Sequence, residues 1–183
     1  MDVKKSIKEE LQNYFKSRIS YSTTEKSRNF DFSKIRKIAF LFLIHGKEEL
    51  NRAREVLKAA KKDGFEAIML AYSDTGKTPD IITDRNVFVF TRDDFNYKWK
   101  PMGDLKEFLE KMHFDLLINF CMDGRPEIVN LFTLINTDFR IANQNPNHFD
   151  YNDLTIKIDD KHYDWLLFYN LAVRNLEMLN IKK

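Results

Sequence analysis

One uninterrupted run of apolar residues, 38–44, constrains the fold more than any other feature of this sequence. A strand made from it has no polar face to turn toward water. Strands that are buried on both faces are typical of the middle of a parallel sheet, where helices cover both sides. The run is also far shorter than the roughly 20 apolar residues that a membrane-spanning helix needs. We therefore predict a buried central strand over residues 37–44 and no membrane-spanning segment.

Strand-like and helical segments alternate along the rest of the chain. We predict strands at 37–44, 66–72, 86–91, 115–120, 139–142 and 154–158, and helices at 48–63, 104–112, 126–136 and 162–181. Gly64 stands where the first of these helices needs a left-handed C-cap, and Pro126 suits a first helical turn. This alternation predicts an α/β fold, a Rossmann-like three-layer sandwich with a mostly parallel sheet of five or six strands.

The N-terminal part of the chain differs from the rest in charge. Residues 1–37 carry ten Lys or Arg against five Asp or Glu, whereas the whole chain has 30 against 28. Between residues 2 and 19 an apolar side chain recurs every fourth position, which predicts an amphipathic helix. Polar residues 20–33 predict a loop. We therefore divide the chain into a basic N-terminal helix with a polar loop, 1–33, and a single α/β domain, 34–183.

The C-terminal helix, predicted at 162–181, carries more apolar surface than one core-facing stripe requires. Such surface predicts either a helix nested between the sheet and the N-terminal helix or, through the terminal helices, a contact with a protein partner or with a second copy of this chain. The basic N-terminal helix could instead meet a nucleic acid or an anionic membrane surface. Because the whole chain is nearly neutral, we expect neither of these last two partners. A single cysteine cannot form an internal disulfide, and residues 1–20 lack the apolar block of a signal peptide, so we predict a cytoplasmic protein.

One segment resembles a phosphate-binding loop, Ala71-Tyr72-Ser73-Asp74-Thr75-Gly76-Lys77-Thr78. That loop requires a glycine at its first position and a helix that begins at its lysine. Here alanine stands first, and the short stretch 79–84 leaves no room for a helix before the next strand. The five glycines are also too far apart for a dinucleotide fingerprint. We predict a polar turn here and no cofactor.

The candidate binding residues lie in two loops. In an open α/β sheet, ligands bind beyond the carboxyl ends of the strands, near the point where the strand order reverses. The loop after the first strand offers His45 and Lys47, although no acid partner for the imidazole can be identified. The loop after the fourth strand offers Asn119, Asp123 and Arg125, with Asp123 or Gly124 at the start of the next helix. A guanidinium beside free helix amides suits an anion, while an ordinary capped turn remains the alternative.

The sequence predicts neither a catalytic residue nor a metal site. A phosphatase-like cysteine would need an arginine six residues after Cys121, where Glu127 stands, so we predict a buried, inert thiol. The acids and the histidine of residues 159–164 match no zinc or calcium spacing. Asp159 or Asp160 is instead predicted to cap the last helix.

Part of the chain resembles a known enzyme family. The strand Phe114-Asp115-Leu116-Leu117-Ile118-Asn119, the turn with Gly124 and Arg125, the helix through Leu134 and the strand Phe139-Arg140-Ile141-Ala142 resemble the N-terminal domain of heptosyltransferase-like GT-B glycosyltransferases. Those enzymes carry a Gly-Asp pair after the first strand, where this chain has Gly46-Lys47, and a second domain for the nucleotide sugar. The resemblance therefore implies that any such activity would require a partner chain.

The chain as a whole resembles a small bacterial α/β family of unknown function. Its members pair a basic N-terminal helix with an α/β domain and carry an Asp-x-Asn-aromatic segment, here Asp94-Phe95-Asn96-Tyr97. We predict a non-catalytic module that binds a partner or a small anionic ligand. The alternative is a glycosyltransferase-like or phosphoryl-handling enzyme whose site is formed by His45, Lys47, Asn119, Asp123 and Arg125.

Overall fold

The computed structural model describes residues 21–23, 31–75, 85–122, 124–143, 152–158 and 163–180. Within them the strands are β1 Tyr21–Thr23, β2 Lys37–Ile44, β3 Glu66–Ser73, β4 Val87–Phe90, β5 Phe114–Asn119, β6 Thr137–Asn143 and β7 Leu154–Ile156. The helices are α1 Lys47–Lys62, α2 Gly103–Lys111, α3 Pro126–Leu134 and α4 Trp165–Asn180. Two 3₁₀ turns lie at Phe32–Lys34 and Arg92–Asp94. None of the helices in these ranges has the length and apolar character needed to cross a membrane.

The strands form one sheet in the order β1-β7-β6-β5-β2-β3-β4. All pairs from β2 to β7 are parallel, and only β1 is antiparallel to its neighbour. Helices α1 and α4 contribute to the hydrophobic cluster on one face of the sheet, and α2 and α3 to the cluster on the other. The six parallel strands have the order of a doubly wound Rossmann sheet. The predicted Rossmann-like three-layer sandwich is confirmed.

The central strand β2 is buried as its composition predicts. Phe40 and Phe42 point into the cluster shared with α1 and α4, whereas Ala39 and Leu41 point into the cluster shared with α2 and α3. This alternation follows from the two-residue period of a strand. Parallel pairing with β3 on one side and β5 on the other satisfies its backbone groups. The site described below depends on the position of this strand.

The structure differs from the prediction in the segment that was expected to be a loop. Residues Tyr21–Thr23 form β1, which pairs with β7 in the register Tyr21↔Ile156. The pairing is non-local: the open edge of β7 supplies hydrogen-bond partners that no local pattern reveals. The predicted N-terminal helix lies outside the described residues.

Helix ends are formed by local backbone chemistry. Gly64 follows the C-cap of α1 with a φ of 92°, which confirms the predicted left-handed position. At α4 the cap differs from the prediction, because the Oδ1 atom of Asp164 accepts a 2.8 Å hydrogen bond from the Leu167 amide. The residues predicted for that role, Asp159 and Asp160, lie outside the described residues. Asp164 directly precedes the first helical residue, which is the position where a cap acts.

A part-buried hydrogen bond joins helix α4 to the end of α1. Tyr169 is fully buried, and its hydroxyl donates a 2.6 Å hydrogen bond to the Oδ2 atom of Asp63 at the end of α1. Burial and this bond together raise the pKa of the Tyr169 phenol far above its usual value. Leu166 and Met178 of the same helix are exposed. A protein partner or second copy held through the terminal helices stays a prediction.

We expect Tyr169→Phe to lower the free energy of unfolding by about 1–2 kcal/mol, because it removes a hydrogen bond to a charged acceptor. The exposed Asp63 carboxylate then regains water, which keeps the loss at the lower end of the range for such bonds. Urea denaturation measures the difference. Tyr97→Phe is the matched control, since Tyr97 is 80% exposed and should change stability by less than about 0.5 kcal/mol. Equal effects of the two substitutions would contradict the assignment.

Candidate functional site

The strand order reverses between β2 and β5 at the carboxyl edge of the sheet. These strands pair in the register Leu41↔Asn119, where β5 ends, while β2 continues to Ile44. The chain leaves β2 toward α1 on one face and leaves β5 toward α3 on the opposite face. In open α/β sheets the two loops that leave such a pair diverge, and ligands bind in the crevice between them. We call this place the switch-point crevice. Both loops that the sequence singled out therefore meet at the switch point.

Three charged or titratable side chains converge at this edge of the sheet. The Oδ2 atom of Asp74, directly after β3, lies 2.9 Å from His45 Nδ1. The same oxygen accepts a 3.0 Å hydrogen bond from Arg125 Nη1. The loops after β2, β3 and β5 are thus joined through one carboxylate oxygen.

The ion pairs determine the protonation state of the Asp74 carboxyl group. Partial burial raises its pKa, but the hydrogen bonds and positive charges of His45 and Arg125 outweigh that effect and lower the pKa below its usual value. An ionised carboxylate can only accept hydrogen bonds. His45 Nδ1 therefore carries the proton in this contact, and the Nε2 atom is the ring nitrogen left for other interactions.

The acid partner of His45 corrects the sequence analysis, which identified none. In the sequence, Asp74 stands in the segment that resembles a phosphate-binding loop. It also follows a predicted strand directly. Because the carboxyl ends of parallel strands share one edge of the sheet, this position is the sequence feature that indicates Asp74 as a partner of His45. Since β3 lies next to β2, an acid at this point falls within reach of a side chain after β2.

Asn119 is fully buried at the end of β5. Its Oδ1 atom accepts a 2.9 Å hydrogen bond from the Cys121 amide. Its Nδ2 atom has no hydrogen-bond partner among the described residues. A buried donor without a partner is costly, about 1–3 kcal/mol. Asn119 is therefore the residue of this loop with a donor to spare for a ligand or a water molecule.

Aromatic contacts fix the start of the same loop. The Phe120 ring stacks on Phe42 with centroids 4.5 Å apart. The Phe120 carbonyl accepts a 2.9 Å hydrogen bond from the hydroxyl of Tyr163, just before α4. The next residue, Cys121, is buried, which confirms that part of the prediction. The loop after β5 is thus attached to the core at its first residues.

A second acid, Glu127, is buried next to Tyr72 of β3. Glu127, the second residue of α3, is 5% exposed and close to the buried Tyr72 at the end of β3. Burial raises the pKa of the Tyr72 phenol, and so does the Glu127 carboxylate, while Arg125 and Arg92 act in the opposite direction. The sequence analysis used Glu127 only to exclude a phosphatase. Its burial depends on the fold, so no local pattern identified it.

Lys47 and Asp123, the other predicted site residues, do not belong to the described contacts of Asp74. Lys47 is exposed at the first position of α1 and takes no part in the Asp74 contacts. Asp123 lies outside the described residues. The N-cap of α3 is Arg125, not Asp123 or Gly124 as predicted. Pro126 fixes this boundary, because a proline is accommodated at the first helical position and disfavours helical backbone in the residue before it.

The Asp-x-Asn-aromatic segment lies in the loop that follows β4. Asp94 Oδ2 accepts a 2.7 Å hydrogen bond from the Thr91 amide. Asn96 Oδ1 accepts bonds of 2.8 and 3.1 Å from the amides of Lys98 and Lys100. Both polar residues of the motif thus stabilise backbone turns. Phe95, between them, is buried in an edge-to-face contact with Tyr72.

A groove of about 610 Å³ runs between α2 and α3 and is lined in part by Asn96, Leu109, Asn130 and Leu134. Several of its polar groups are already occupied. Asn130 Nδ2 donates a 2.8 Å hydrogen bond to a backbone carbonyl, and Asn96 closes the loop described above. The switch-point crevice, with its buried unsatisfied donor and its convergent charges, is the better candidate site.

We expect Asp74→Asn to lower stability at neutral pH by about 0.5–1 kcal/mol, the size of a partly exposed ion pair. The folded-state pKa of Asp74 lies below the ordinary 3.8. The contribution is therefore complete above about pH 5 and disappears as the pH falls through the folded-state pKa. Urea denaturation at pH 7 and at about pH 3 measures the change. In the control Asp93→Asn, on an exposed residue, the difference in free energy of unfolding from the wild type should be the same at both pH values. A difference for Asp74→Asn that does not change with pH would refute the prediction.

The chain was also compared with known proteins. No curated protein and no solved structure matches it. The resemblance to glycosyltransferases therefore stays a prediction. A family model described as a family of unknown function, DUF6913, matches residues 4–178, nearly the whole sequence. The α/β chain with the crevice described above belongs to this family of unknown function, DUF6913.

Proposed function

We propose that this chain is a non-catalytic cytoplasmic module that binds a small anionic ligand in the switch-point crevice. The observation that carries the proposal is the contact of one Asp74 oxygen with both His45 and Arg125. The two donors come from the two sides of the crevice and already hold a carboxylate oxygen. A ligand phosphate or carboxylate would take the place of this oxygen or join it.

The charge distribution favours the α3 side of the crevice. Arg125 is the N-cap of α3, and its guanidinium has no acceptor that could cap the first-turn amides. Amides at a helix start attract anions, and a guanidinium can meet a phosphate or carboxylate with two parallel hydrogen bonds. The first turn of α1 carries two carboxylates, Glu48 and Glu49, whereas that of α3 carries one, the buried Glu127. Glu48 and Glu49 repel an anion from the start of α1.

The buried amide of Asn119 adds a neutral donor to this arrangement. An oxygen of a ligand, or of a water molecule that a ligand holds, would satisfy its Nδ2 atom. The free energy of this hydrogen bond is gained only when the ligand binds, so it adds to the affinity. The chemistry fits phosphorylated metabolites, nucleotides and nucleotide sugars. The cytoplasmic assignment is supported by the single cysteine, which leaves no internal disulfide to form.

A thermal-unfolding screen against these three ligand classes tests the proposal. A ligand at 100 times its dissociation constant adds about 2.7 kcal/mol, which raises Tm by roughly 5–10 °C for a domain of this size. We expect the shift to disappear in Arg125→Ala and to fall in His45→Gln. Arg174→Ala is the matched control, since Arg174 is an exposed arginine of α4 and is not one of the residues that meet at Asp74. No shift with any ligand, or loss of the shift in the control alone, would reject the proposal.

The His45–Asp74 pair supports one alternative, a glycosyltransferase-like or phosphoryl-handling enzyme. An aspartate bound to Nδ1 orients an imidazole so that Nε2 can accept or donate a proton. The discriminating measurement is turnover of any ligand from the screen, followed by phosphorus NMR. Product formed by the wild type and lost in His45→Gln would favour the enzyme, and bound ligand recovered unchanged would favour the binding module.

A further inference from the structure

At the opposite edge of the sheet lies a cluster of side chains of the types that ligate metal ions, apart from the residues of the switch-point crevice. His113 directly precedes β5, Asp115 lies in β5 and Asp138 lies in β6. One ligand atom from each lies within 4.8 Å of the other two. We propose that these three side chains form a binding site for a divalent transition-metal ion, with Zn²⁺ as the best match. The sequence analysis predicted no metal site, because the third ligand lies on another strand.

The backbone holds the three ligands in place. His113 and Asp115 are two residues apart in extended chain, a spacing that puts both side chains on one side. Asp138 comes from the neighbouring parallel strand, which is paired in the register Phe114↔Thr137. Ligands on paired strands are positioned more accurately than ligands on loops.

Asp115 is further held by groups outside the cluster. Its Oδ2 atom accepts hydrogen bonds of 2.6 and 2.8 Å from the amides of Arg36 and Lys37. Hydrogen bonds to a carboxylate from beyond the ligand shell are typical of metal sites, because they fix the orientation of the ligand. A carboxylate has about four lone-pair sites, so two amide bonds leave Asp115 acceptor capacity for an ion.

The distances suit a small ion. His113 Nε2 and Asp138 Oδ2 are 3.3 Å apart. Ligands about 2.1 Å from a tetrahedral zinc ion are about 3.4 Å from one another. The other distances between the ligand atoms are at most 4.8 Å. Rotation of the exposed side chains shortens these distances.

The donor set selects the type of ion. One imidazole nitrogen with two carboxylate oxygens suits Zn²⁺, whereas Mg²⁺ and Ca²⁺ prefer oxygen ligands alone. The ammonium of Lys37, whose amide binds Asp115, lies 3.9 Å from the Glu66 carboxylate. Three protein ligands leave a coordination position for water, as in zinc sites that are not purely structural.

Titration of the metal-free protein with Zn²⁺ against a chromogenic chelator tests the site. We expect one Zn²⁺ equivalent to be bound by the wild type, with affinity at least tenfold lower in His113→Gln and in Asp138→Asn. Both residues are about half exposed, so these variants should fold, which circular dichroism verifies. Asp115 is not substituted, since its backbone contacts also support the fold.

Matched controls are His45→Gln and Asp93→Asn, which should each keep this zinc equivalent. Cobalt supplies a second readout, because the visible absorption of bound Co²⁺ should be lost in His113→Gln. Absence of zinc binding in the wild type would overturn the proposal. So would zinc binding unchanged in both test variants, or Ca²⁺ binding of equal strength that does not depend on His113.

Discussion

The fold depends on one constraint, the absence of any polar side chain between residues 38 and 44 of β2. A strand of this kind is stable only when helices cover both of its faces. From β2 the chain passes through α1 to β3 and β4 on one side of the sheet. It then returns to the other side of β2, where β5 and α3 follow. That reversal places two diverging loops side by side. The crevice is therefore a consequence of how the core is covered.

Local patterns predicted the central strand, the four helices of the α/β domain and the loops that lie at the crevice. They did not reveal β1, because three residues form a strand there only through the exposed edge of β7. Nor did they reveal the partner of His45, since Asp74 lies 29 residues from it and 51 from Arg125. No spacing rule connects groups at such separations. Parallel strand adjacency does, and it requires the strand order.

The Asp74 carboxylate gives the crevice a particular electrostatic character. It keeps Arg125 and His45 paired when no ligand is present, which lowers the positive potential of the open crevice. A ligand must compete with this internal anion, so part of its interaction energy is spent on replacing an existing contact. In return the two donors are already oriented. Selectivity then depends on groups that Asp74 does not satisfy, and the amide of Asn119 is one of these.

The reactivity of Cys121 reports on the opening of the loop after β5. This residue is the single cysteine of the chain, buried two residues after Asn119, with its amide bound to that side chain. A thiol reagent can reach the sulfur only when the loop after β5 opens. The labelling rate therefore gives the free energy of that local opening without any introduced probe, and an occupant of the crevice would slow the reaction in proportion to its occupancy.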